Sequence, residues 1–212
     1  MSLLLGALIG YLLGAVPFGL LVGRVTRGID LREYGSHRTG ATNALRTLGL
    51  RAAALVFLLD VGKGVAAVLV VRLVFGDDPM VEWAAALAGF AAIVGHNWSA
   101  FIGFTGGRGV ATSAGALGAM SPITILVLAP IVVGLIWRTR YVSLGSITGG
   151  LLAPVITALL WLIGLASVPA IAYATASGLL VTAAHADNIA RLRAGTERKI
   201  GQKEMVSTDG HR

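Results

Sequence analysis

The chain has 212 residues, 56% of them hydrophobic and 13% charged, with a mean hydropathy of +0.81, far from the half-apolar, quarter-charged make-up of a soluble domain. Its net charge is +7 and it has no cysteine, which excludes a disulfide framework, a thiolate zinc site and a cysteine nucleophile. What remains is a membrane protein: one helical domain over residues 1–199, with the polar, aperiodic residues 200–212 expected to be a disordered cytoplasmic tail.

The first apolar run, Leu3 to Val22, lacks the basic segment that opens a cleavable signal peptide, so it is expected to stay as a span. A basic loop follows, with Arg24, Arg27, Arg32, Arg38, Arg46 and Arg51. Next come Ala52 to Phe75 and Val81 to Val94, parted by Asp77, Asp78 and Glu82. The run Gly109 to Trp137 is too long for one crossing of about 20 residues, and Ser121-Pro122 near its middle predicts a break. Val142 to Ile163 and Val168 to Ala184 complete the set.

Lys and Arg gather in cytoplasmic loops, which places the arginine-rich first loop inside and the acidic second loop outside. Arg108, the Arg138/Arg140 pair and the segment Arg191 to Lys199 share that inner face only if the long run is two spans. The expected fold is therefore all-α, with seven short transmembrane helices, the N-terminus outside and the C-terminus cytoplasmic. Arg72, near an outer end, is the exception. The two half-runs would rise only about 18 to 24 Å against a hydrocarbon core of about 30 Å, so tilt or local thinning has to accommodate them.

The high charge could suggest nucleic acid, but the basic residues follow topology and lack interleaved aromatics; anionic lipid headgroups and a small anionic substrate are the better partners. In the first loop, Ser36, Gly40, Thr42, Asn43 and Arg46 combine hydroxyls, an amide, a guanidinium and glycine, a set suited to an oxyanion. The plainer reading is an ordinary positive-inside loop. In the second, Gly106-Gly107-Arg108-Gly109 opens a helix that carries Thr112, again an anion-holding arrangement. Its spacing is not that of a nucleotide-binding P-loop, which excludes an ATPase of that kind. The plainer reading, glycines for helix packing, leaves the guanidinium among them unexplained. Third, His185 and Asn188 lie one helical turn apart after the last span. Asp60 and Lys63, also a turn apart but inside a span, form a costly pair that is expected to be structural. The topology puts Ser36, Arg46, Arg108, Ser143, His185 and Asn188 on one membrane face, as a shared pocket requires.

These segments resemble the PlsY family, the bacterial acyl-phosphate-dependent glycerol-3-phosphate acyltransferases. The resemblance is carried by Gly23-Arg24, Asp30-Leu31-Arg32, Gly35-Ser36, Gly40-Ala41-Thr42-Asn43 and Arg46; by His96 and Gly106 to Thr112; and by His185, Asn188-Ile189, Arg191-Leu192, Gly195-Thr196-Glu197 and Lys199. It implies transfer of a fatty acyl group from acyl phosphate to the sn-1 hydroxyl of glycerol 3-phosphate in a bacterial plasma (inner) membrane, giving lysophosphatidic acid and phosphate. It implies no cofactor, coenzyme A included, no metal, and the enzyme that supplies acyl phosphate as a partner. It further implies that Ser36, Arg46, Arg108 and Asn188 hold the phosphates, completed by Ser143 and His185, with Gly40, Thr42, Asn43, Gly106, Gly107, Gly109 and Thr112 as further substrate-binding positions. Arg108 stands where the family usually has lysine, His37-Arg38 where it has Gly-Asn, and Val142 where a second serine is frequent. The alternatives are a small transporter of an anionic metabolite, or a family paralogue with a changed donor or acceptor. A transporter would place its polar groups near the midplane and show two related halves.

Overall fold

The structure, a computed structural model, describes residues 1–202; among them are ten α-helices, two single 3-10 turns and no strand. Helices α1 (Ser2–Ala15) and α2 (Phe18–Arg27) come from a single apolar run. Pro17 has no N–H to continue the ladder, and Val16 before it is extended, at φ −58° and ψ 116°. The span expected over Leu3 to Val22 is thus a broken one covering Ser2–Arg27. Gly28 ends α2 in the left-handed conformation, φ 66°, its N–H bonding back to the Arg24 carbonyl at 3.0 Å.

A short α3 (Ala41–Thr47) and the long α4 (Leu50–Val74) follow, then α5 (Val81–Asn97), α6 (Val110–Met120) and α7 (Pro122–Thr139). The break between α6 and α7 falls at Ser121, where the proline predicts it, and Pro122 opens α7, where its missing donor costs nothing. Then come α8 (Val142–Leu162), α9 (Val168–Ala183), capped by the Ser167 side chain, and α10 (Ala186–Arg193), which turns 58° away from α9. Four segments are long and apolar enough to cross a membrane: residues 2–27, α4, α7 and α8; the bent α9–α10 pair makes a fifth. Helix α5 has 17 residues and α6 only 11, so α6 rises about 17 Å.

Small residues hold the bundle together, because between helices in lipid close backbone approach takes over from the hydrophobic effect. Gly6, Gly10 and Gly14 of α1 stack on Ala84, Ala88 and Ala92 of α5, four residues apart on both helices. A side chain at Gly10 or Gly14 would strike the backbone of Ala88 or Ala92. Gly10→Val is therefore expected to leave little monodisperse protein after detergent extraction, whereas Leu8→Val, on the exposed side of α1, should extract like wild type. Arg72 is also explained: it pairs with Glu82 at 2.7 Å and donates to the Ala119 carbonyl, at the end of α6, at 2.7 Å. It closes the end of the bundle opposite the polar loops.

Candidate active site

The three polar segments meet at one end of the bundle. In the first, Asp30 caps the turn Leu31–Glu33, accepting the Arg32 N–H at 2.9 Å and the Arg32 guanidinium at 2.7 Å. The same guanidinium reaches the second segment, donating to the Ile102 carbonyl at 3.0 Å and the Thr105 hydroxyl at 3.1 Å. A backbone bond from Thr39 N–H to the Gly106 carbonyl, 3.4 Å, adds to the join. Asn43 is the centre of the first loop: its amide nitrogen lies 2.9, 3.0 and 2.8 Å from the carbonyls of Leu31, Tyr34 and Arg38, and its oxygen accepts the Ser36 N–H at 2.9 Å. His37 holds a left-handed backbone, φ 56°, where glycine is the easier residue, and its Nδ1 lies 2.8 Å from the Arg32 carbonyl.

In the second segment no side chain fits at Gly107, which abuts the His96 imidazole, and Gly109 is left-handed, φ 73°, against Ile93. This close seat sends Arg108 across to the third segment. Its Nε donates to the Ala184 carbonyl at 3.2 Å and its Nη2 to Asp187 at 2.7 Å. Asp187 also pairs with Arg191 at 3.2 Å. Arg191 continues to Glu197 at 2.8 Å, and the other oxygen of Glu197 accepts from Ser143 and Asn188, both at 2.7 Å. Burial would raise the Glu197 pKa, but the bonds from Ser143, Arg191 and Asn188 outweigh it and hold the carboxyl below its ordinary value. His185 places Nδ1 2.7 Å from the Val181 carbonyl; donating there leaves Nε2 as the ring's acceptor.

These groups line a cavity of about 830 Å³. Five arginines (Arg38, Arg46, Arg108, Arg191, Arg198) and three carboxylates (Asp60, Asp187, Glu197) border it, so its polar end carries surplus positive charge. Arg46 shows this most plainly, having no carboxylate partner among the described residues. Desolvation, and then the repulsion of Arg198 and Arg108 against the pull of Glu197, hold its pKa below the ordinary arginine value. An anion would relieve that repulsion. From the polar end the cavity runs on between α6, α7, α8 and α9 along apolar walls that include Leu117, Leu128, Val132 and Ala153.

Of the expected positions, Ser36, Gly40, Thr42, Asn43, Arg46, Gly107, Arg108, Gly109, Ser143, His185 and Asn188 line this cavity. Two do not. Gly106 lies behind the wall, packed on the backbone of His96 and Asn97, and Thr112 is fully buried with its carbonyl against Gly64 of α4. Asn43 lines the cavity, but its side chain is used up within its own loop, so it shapes the site more than it offers a free donor. Asp187, which joins Arg108 to Arg191, is a site residue that the sequence does not single out, since one carboxylate among basic residues carries no motif of its own. The docking role of Glu197 has no local signal, since the residue lies in irregular chain after α10. Beyond it, Ile200 N–H bonds the Arg140 carbonyl at 2.9 Å, so the expected tail begins docked; residues 203–212 lie outside the described residues.

An apolar helical bundle with a cationic pocket opening beside a greasy cleft is the form of an integral membrane enzyme that joins a charged substrate to a lipid. The comparisons make that class specific: the model of the family described as glycerol-3-phosphate acyltransferase matches residues 4–195, and the chain belongs to that family. It is 44% identical to glycerol-3-phosphate acyltransferase 3 of Dehalococcoides mccartyi over 210 residues, covering 95% of this chain and 97% of that one. It is 43% identical to the glycerol-3-phosphate acyltransferase of Thermoanaerobacter sp. strain X514 over 206 residues, covering 97% and 100%. Its fold matches the crystal structure of PlsY, an integral membrane glycerol 3-phosphate acyltransferase, in the glycerol 3-phosphate form, with a TM-score of 0.83 at 37% identity over 95% of this chain and 96% of that one. The lysophosphatidic acid form of PlsY matches with a TM-score of 0.82 at 36% identity over the same shares. The protein is an acyltransferase and an integral membrane protein.

Proposed function

We propose that the protein transfers a fatty acyl group from acyl phosphate to the sn-1 hydroxyl of glycerol 3-phosphate, giving lysophosphatidic acid and phosphate on the cytoplasmic side of a bacterial inner membrane. One observation carries the reading: a single cavity joins an end with surplus cations to apolar walls between α6 and α9. A water-soluble phosphate and a lipid-dissolved acyl chain can meet there. The glycerol 3-phosphate and lysophosphatidic acid forms of the one related structure, PlsY, support the acceptor and the product.

In the reaction the sn-1 oxygen forms a bond to the acyl carbonyl carbon, the bond from that carbon to the bridging phosphate oxygen breaks, and the hydroxyl proton ends on the departing phosphate. Acyl phosphate is already activated, so positioning and charge stabilisation carry most of the catalysis. Arg46, Arg108 and Ser36 are the phosphate-holding groups in this scheme. Nε2 of His185 is an acceptor for the attacking hydroxyl, while Glu197 holds Ser143 and Asn188 in place. No step draws on a cofactor or a metal. The enzyme that makes acyl phosphate is the partner this donor calls for.

We infer seven crossings, α1 and α2 together as one broken crossing and α4 to α9 as six more, with the N-terminus outside. The clustering of arginines at the polar end supports this orientation. Single cysteines at Ser36, Arg108 and Asn188 are then expected to react with a membrane-impermeant maleimide only from the cytoplasmic side; labelling from opposite sides would break the shared site apart. The donor is tested with purified protein in detergent, glycerol 3-phosphate and either palmitoyl phosphate or palmitoyl coenzyme A. Lysophosphatidic acid formed from palmitoyl phosphate alone is expected, and equal product from both donors would refute the assignment.

A further inference from the structure

Asp60 and Lys63 stand one turn apart on α4 with their charged atoms 2.9 Å from each other, and their side chains are only 2% and 4% exposed. An ion pair so placed is costly, and apolar side chains of like size would often serve packing as well or better. Its neighbours show what it touches. The Lys63 ammonium donates to the Val16 carbonyl at 3.1 Å, at the Pro17 break, and lies 5.7 Å over the Phe18 ring. Asp60 Oδ1 lies 3.4 Å from Nδ1 of His96, in the last turn of α5. The opposite ring nitrogen of His96 abuts Gly107 so closely that no Cβ fits there, and the His96 carbonyl accepts the Gly107 N–H at 3.1 Å. The next residue is Arg108. Asp60, His96 and Gly107 all border the cavity.

We propose that Asp60, Lys63 and His96 form a buried positioning unit that sets the Gly106–Gly109 loop, and with it the Arg108 guanidinium, against α4, α5 and the α1–α2 break. The inference rests on the reading that Arg108 holds a substrate phosphate. Lys63 balances the Asp60 charge and ties it to the Val16 carbonyl. Asp60 turns the His96 ring, and the ring bears on the glycine loop from below. None of the three needs to touch substrate for this role.

The test is a cycle of substitutions at the tightest contact. Gly107→Ala pushes the loop off the imidazole and His96→Ala removes its support; each is expected to raise the KM for glycerol 3-phosphate about tenfold, with a smaller change in kcat. Because His96→Ala also vacates the space that an alanine at 107 needs, the double variant is expected to show about the KM of His96→Ala alone, the further loss from Gly107→Ala being recovered. A double variant as poor as the product of the two single effects would overturn the unit. The pair Asp60→Asn with Lys63→Met leaves no uncompensated charge, so it is expected to fold and to raise the same KM; a wild-type KM in that pair would overturn the part given to the two charges. Calorimetric titration of glycerol 3-phosphate into wild-type protein separates phosphate binding from loop positioning. Wild type that neither binds nor acylates it would refute the phosphate reading itself, whereas wild type that does both beside an unrecovered double variant would refute only the positioning unit.

Discussion

Arg46→Ala is expected to lower turnover by about two to three orders of magnitude, the scale seen when a preorganised charge-stabilising donor is removed. The folded protein should survive unharmed. Arg46 reaches the cavity from α3, has no carboxylate partner among the described residues, and is repelled by Arg198 and Arg108. Removing it relieves repulsion, so the melting temperature in detergent is expected to hold or rise slightly while activity is lost, the mark of a residue kept for function. Arg46→Lys should recover part of the rate, since an ammonium restores the charge but not the planar fork. Near-wild-type rates for the alanine variant would show that the cation faces the wrong anion, or none.

Glu197→Ala is expected to cost both stability and activity. The carboxylate is the common acceptor for Ser143, Asn188 and Arg191, and its side chain is only 5% exposed. Taking it away leaves the buried donors of Ser143 and Asn188 unpaired, at about 1 to 3 kcal/mol each, and takes from the part-exposed Arg191 one of its two carboxylate partners. A lower melting temperature and loss of turnover should appear together, in contrast to Arg46→Ala. The pH dependence has a definite sign. A carboxyl whose folded pKa lies below its unfolded value contributes stability that is complete above about pH 5 and is lost as pH falls through the folded pKa. Wild type should therefore lose this margin on acidification, and the Glu197→Gln variant, which cannot ionise, should show a flatter profile between neutral and acid pH. Asn188→Ala should also stop turnover, but with a smaller fall in melting temperature, because it removes one of three bonds to that carboxylate.

Much of this was legible in the sequence. The hydropathy runs located the helices, and Ser121-Pro122 placed the break between α6 and α7, because a missing backbone donor acts locally whatever the surroundings. Pro17 does the same to the first run, but hydropathy does not reveal it, since the run stays apolar on both sides and is short enough to pass as one span. The residue types of the loops point to an anion site, as proposed. Their division of labour could not be read, because it depends on contacts between distant segments. Asn43 looks like a free amide donor until its four loop bonds are seen. Gly106 and Thr112 share the pattern of their neighbours but pack behind the wall. Glu197 sits where no periodicity marks it, and Asp60 and Lys63, expected to be a structural pair, gain their significance only from His96 and the glycine loop across the helix interface.

Cations gathered from the first and second loops are proposed to hold the phosphate of the acceptor in the same cavity that receives the acyl chain. A crystal or cryo-EM structure of the protein soaked with glycerol 3-phosphate measures this directly. The phosphate is expected within hydrogen-bonding distance of the Arg46 and Arg108 guanidiniums, with the sn-1 hydroxyl turned toward His185 and the apolar cleft. A phosphate seated away from both arginines, or a glycerol moiety facing away from the cleft, would contradict that assignment.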